Sequence, residues 1–188
     1  MTAATKIKRV AACAITACAL AIGGVALSGC ANEADQIKQQ LTEELDGIKN
    51  LSDEALAEME IAIDADSQEI FSEVGISIDD LMKSYLNGFD YSIGEVKVDG
   101  DTATAEVTLT AKTQADITAA MNAAIENIDY DELVSTGDLT LIGQAIIEAI
   151  DATGPRELDP VTLTFTKVDG EWTDDESAAD AVTAVLMG

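Results

Sequence analysis

Residues Phe89–Ala111 read FDYSIGEVKVDGDTATAEVTLTA, and the period of this stretch decides the fold. Phe89, Tyr91 and Ile93 alternate with polar neighbours, the two-residue repeat of a strand that buries one face. Val96 and Val98 resume the alternation on the opposite parity, so one residue too many has entered at Gly94-Glu95. An extra residue bends a strand and tightens its twist, which predicts a β-bulge and a curved sheet. Asp99-Gly100 carries turn chemistry, because glycine reaches the positive φ that a tight hairpin needs. Ala103, Ala105, Val107, Leu109 and Ala111 then alternate with four threonines and Glu106, giving a second strand with one apolar and one wet face.

Upstream of this hairpin the period is helical. Ile37, Leu41, Leu45 and Ile48 recur at three- and four-residue steps. Leu56, Met59, Ile63, Ile70, Phe71 and Val74 predict a second helix after Ser52, a suitable N-cap. Ser77 with Asp80 resembles a capping box and opens a third helix carrying Ile78, Leu81, Met82, Tyr85 and Leu86, which Gly88 ends. Downstream, Ile117, Ala120, Met121, Ala124, Ile125 and Ile128 form one helical stripe, and Leu139, Ile142, Ile146 and Ile150 a second, closing near Gly154-Pro155. Strand character returns in Val161, Leu163 and Phe165. Asp169-Gly170 turns the chain into a short strand with Trp172, and Ser177 is placed to cap a final helix reaching Met187. The expected fold class is α+β: N-terminal helices packed on a curved antiparallel sheet of about four strands, with a two-helix insertion and a C-terminal helix.

The first thirty residues follow a different logic. Lys6, Lys8 and Arg9 form a positive start, Val10–Leu27 is an uncharged, Ala-rich run, and Leu27-Ser28-Gly29-Cys30 follows. Positive charge holds the start in the cytoplasm while the apolar run enters the export channel. The tetrapeptide resembles the lipobox of bacterial lipoproteins, in which small residues let the peptide lie extended for cleavage and the cysteine takes a diacylglyceryl group. That resemblance implies a signal peptide over 1–29 and lipidation at Cys30, while length and periodicity add a short polar tether over 30–35 and a single α+β domain over 36–188. It also implies attachment to the cell membrane through the N-terminal lipid, on the extracytoplasmic face. An uncleaved membrane-spanning helix and an ordinary secretory leader are the competing readings of the same run. Ala31 stands where Asp would mark inner-membrane retention, so sorting to an outer membrane stays open.

The order of elements resembles the cystatin-like, nuclear-transport-factor-like cone of many bacterial lipoproteins. The likeness rests on the helices before Gly88, the curved strand with its Val-Asp-Gly-Asp-Thr-Ala turn, and the closing Val168-Asp169-Gly170-Glu171-Trp172. The helical insertion between Lys112 and Asp159 is longer than that pattern. The resemblance implies a pocket whose mouth Tyr91 and Trp172 line, but large aromatics usually dominate burial in so Ala-rich an interior, and the core is the preferred reading of both. It implies no activity.

Composition narrows the chemistry. There are 36 acidic residues against 10 basic ones and the formal net charge is −26, with three of the basic residues in front of Cys30. Such a field repels nucleic acid and is read first as serving solubility, with a cationic protein or divalent cations as the partners it would suit; a small ligand is a further candidate for a binding module. The chain has no histidine, which excludes His-based triads and His-ligated zinc. Beyond Cys30 there is no further cysteine, and neither a phosphate-cradling glycine motif nor a G-x-S-x-G elbow occurs. No cofactor is expected. Carboxylates remain: Asp64 with Asp66, Asp79 with Asp80, and Asp174-Asp175-Glu176. A pair of acids hydrolyses glycosides only when one is held protonated. Asp64–Gln68 begins like a calcium loop, but Glu69 stands where that loop needs glycine. These features favour a non-enzymatic binding or interaction module, with a carboxylate-dependent hydrolase of wall or glycan polymers and a divalent-cation-binding surface protein as alternatives.

Overall fold

The structure, a computed structural model, describes residues 33–53, 55–57, 63, 65–174 and 176–188. Its elements run α1 (Glu33–Lys49), α2 (Ala65–Glu73), α3 (Ile78–Leu86), β1 (Asp90–Asp99), β2 (Thr102–Ala111), α4 (Gln114–Glu126), α5 (Tyr130–Thr136), α6 (Thr140–Ala152), β3 (Arg156–Glu157), β4 (Val161–Val168), β5 (Glu171–Asp174) and α7 (Glu176–Met187). The fold is α+β, with helices packed against an open antiparallel sheet of order β1-β2-β4-β5, to which β3 adds by pairing with β2.

The bulge is where the parity switch puts it. Ile93 faces Val107 and Val96 faces Ala105, so two residues of β1, Gly94 and Glu95, oppose the single Glu106. Both hairpin turns have two central residues. Gly100 takes φ +63° between Asp99 and Thr102, while Asp169 and Gly170 both have positive φ between Val168 and Glu171. Two successive positive φ values suit the right-handed twist of the flanking strands, which is why Asp-Gly serves there. Ala103, Ala105, Val107, Leu109, Val161, Leu163 and Phe165 are buried in the core with Ile37, Leu41 and Ile48 of α1, which packs on β1 and β2, while α7 packs on β4.

Helix ends follow the expected chemistry with some exceptions. Ser77 accepts from the Asp80 backbone N–H at 3.1 Å and caps α3, and Thr113 caps α4 in the same way through Asp116. The second helical stripe is interrupted: Ser52 accepts from the Ala55 N–H, but Ile63 lies in a bend and α2 starts only at Ala65. The insertion gains the short helix α5 between its two expected ones, and α7 begins at Glu176, which puts Ser177 inside its first turn. A Cβ added to Gly143 would collide with the Val74 carbonyl oxygen, so α6 crosses the α2–α3 connection at backbone contact.

Candidate functional site

Helix α1 crosses the sheet diagonally and gives the molecule two poles. At its start, Glu33 pairs with Lys167, near the end of β4. At its finish, Lys49 pairs with Asp90 at the head of β1, at 2.8 Å, and the Tyr91 hydroxyl donates to Asp46 Oδ1 at 2.8 Å. The first pole therefore holds the β1–β2 and β4–β5 turns, and the second holds the start of β1.

The expected aromatic pair is divided between these poles. Trp172 is 2% exposed and lies under the Lys167 ammonium, 5.4 Å from its ring centroid. Its indole N–H is buried without a hydrogen-bond acceptor. Tyr91 is half-buried against α1, and its proton is held so that the phenol pKa rises to about 12, first through desolvation and then through Asp46. The two rings stand on β1 and β5, with β2 and β4 between them.

The second pole carries a groove of about 580 Å³ that includes Lys49, Lys83, Asn87, Phe89 and Asp151. The C-terminal ends of α1, α3 and α6 meet at it. Behind its wall sits Lys112, 2% exposed, a residue that the sequence reading did not single out. The Lys112 ammonium donates to the Ser84 carbonyl at 2.6 Å and the Ile150 carbonyl at 2.8 Å. It thus ties the last turns of α3 and α6 together, where unpaired carbonyls and the negative ends of two helix dipoles favour a cation. Burial pushes its pKa down, and the charge of Asp151 pushes it back up. The signal was legible only as a lysine at a strand end, immediately after Ala111 in the apolar parity.

The carboxylates are arranged for structure. Asp79 pairs with Lys83 one helical turn on, Asp80 accepts from the Ser77 hydroxyl, and Asp66 lies in the first turn of α2. Asp64 and Asp175 lie outside the described residues, as does Cys30. The Lys49 hydrogen bond lowers the Asp90 pKa, the Thr113 hydroxyl with Arg156 lowers that of Asp116, and Thr140 lowers that of Asp138. A general acid at neutral pH needs the opposite direction. Among the described residues, no three Asp, Glu, Cys or His side chains come together as a metal-ion cluster, and no helix is long and apolar enough to cross a membrane.

These features define an α+β domain with a helix-end groove at one pole and two β-turns at the other. No family model and no curated protein matches the chain. Among solved structures, a Bacillus subtilis protein designated a lipoprotein, ycdA, aligns with 83% of this chain and 47% of its own, at 12% identity and a TM-score of 0.44. This chain thus spans about half the length of that one, and a likeness at this level carries no argument about function.

Proposed function

We propose that this chain is a bacterial lipoprotein, held at the extracytoplasmic face of the cell membrane by lipid on Cys30, whose cystatin-like domain acts as a non-enzymatic binding module. One observation carries the reading: a basic start, an uncharged run and Leu27-Ser28-Gly29-Cys30 occur in that order, directly before an acidic, folded chain. Two or more acyl chains on one cysteine anchor a protein stably, at about 0.8 kcal/mol per buried methylene. The cystatin-like element is supported by a long helix lying across a bulged antiparallel sheet. The binding role is supported by the absence of histidine, and Asp90, Asp116 and Asp138 have pKa values displaced downward by their hydrogen-bond partners, away from proton donation.

The test is Cys30→Ser in cells fed an alkyne-bearing fatty acid. The parent is expected to take up the label and fractionate with membranes, whereas C30S stays unlabelled and unprocessed at this site. Equal labelling and identical processing of C30S would defeat the proposal. Reproducible turnover of a wall glycan by the parent would defeat its non-enzymatic part.

A further inference from the structure

Given lipid attachment at Cys30, we infer that the pole formed by the β1–β2 and β4–β5 turns is held against the bilayer, and that the groove at the other end of α1 points away from it. The inference rests on the anchoring proposed above and adds an orientation to it. Two residues, Ala31 and Asn32, separate Cys30 from Glu33, and three Cα–Cα steps of at most about 3.6 Å keep the Cys30 backbone within roughly 11 Å of the start of α1. Glu33 is not free to swing, because it is ion-paired to Lys167 beside Trp172. Buried Ile37, Leu41 and Ile48 fix the rest of the helix on the sheet. With 17 residues, α1 is about 25 Å long, more than twice the reach of the connection. The tether therefore selects one pole.

Two further observations agree. The exposed side of α1 carries Asp35, Lys38, Gln39 and Glu43, with no apolar stripe on which the helix could lie in the interface. Val168, 52% exposed, is one of the large apolar side chains left open to solvent, and it stands at the turn pole. Carboxylates at this pole, Asp99, Asp101, Asp169 and Glu171, are repelled by anionic headgroups, but that repulsion decays over a Debye length of about 8 Å, and the short covalent connection keeps this pole nearest the bilayer at a small stand-off.

The orientation is tested on the full chain in membranes of the producing cell, through two single substitutions at exposed sites: Glu171→Cys at the turn pole and Asn87→Cys at the groove pole. Each is labelled with a maleimide on a large polyethylene glycol chain, with the parent's labelling subtracted. Each rate in membranes is divided by the same variant's rate in detergent. E171C is expected to label at least tenfold more slowly in membranes than in detergent, and N87C within twofold. Equal ratios on membrane-bound protein would overturn the orientation and leave anchoring intact. Protein absent from the membrane fraction would overturn both.

Discussion

Replacing Lys112 by Met tests whether one buried ammonium joins the ends of α3 and α6. Methionine keeps most of the side-chain volume but has no donor. Two charge-assisted hydrogen bonds are lost, each contributing about 1.5–3 kcal/mol. Two effects reduce that loss. The ammonium no longer has to be stripped of water, a cost of several kcal/mol in a closed interior. The Ile150 carbonyl also keeps the Thr153 N–H, 3.1 Å away, so it is not orphaned. What remains is chiefly the Ser84 carbonyl deprived of its cation, about 1–3 kcal/mol. The expected net loss is about 2 kcal/mol, and with a urea slope of about 2 kcal/mol per molar the midpoint falls by about 1 M at unchanged slope. Hydrogen exchange should accelerate selectively in the last turns of α3 and α6. A K112M chain as stable as the parent, with those amides still protected, would refute the reasoning.

Gly143→Ala should cost about 3 kcal/mol, since the added carbon meets the Val74 backbone and not a side chain that can yield. Thermal melts should show a drop of about 10 °C, while Gly154→Ala, where a Cβ meets nothing within 4 Å, should be neutral or stabilising. Tyr85 and Tyr91 both have phenol pKa values raised to about 12. Their neutral forms stabilise the fold fully below the unfolded value of about 10, and that contribution is lost as pH rises through 12. Phenolate absorbance should therefore show late titration of Tyr85 and Tyr91, with one late-titrating tyrosine fewer in Tyr91→Phe. With a net charge of −26, added sodium chloride at pH 7 should raise the melting temperature, and a flat salt series would show that self-repulsion is negligible.

The sheet was readable because its cues are local. A parity switch at Gly94-Glu95 forces the bulge, and two Asp-Gly dipeptides sit where φ turns positive. The helix ends capped by Ser77 and Thr113 are local in the same sense, although only Ser77 was read in advance. Other features depend on partners far away in sequence. Strand β3 exists because Arg156 and Glu157 reach Ala111 and Thr110, which no periodicity in two residues announces. Lys112 reads as an ordinary lysine until Ser84 and Ile150, 28 and 38 residues distant, close around it. Helix α5 was missed because it is only seven residues long and leaves Val134 82% exposed, so it has little apolar pattern to detect. The placement of the aromatic pair also depends on distant partners: Tyr91 lies near the start of β1 and Trp172 on β5, and the strand order sets β2 and β4 between them.

The bulge in β1 has a consequence for life on a surface. Among the described strands β1 borders the open side of the sheet, ten residues of backbone with hydrogen-bonding groups free to template another chain. If the chain is anchored as proposed, its copies would diffuse in two dimensions with their edges in similar orientation, the arrangement in which strands would zip together most readily. The kink at Gly94-Glu95 spoils the straight template, and the Glu95–Lys97 pair keeps charge along it. Edge-to-edge pairing between copies is disfavoured by both features.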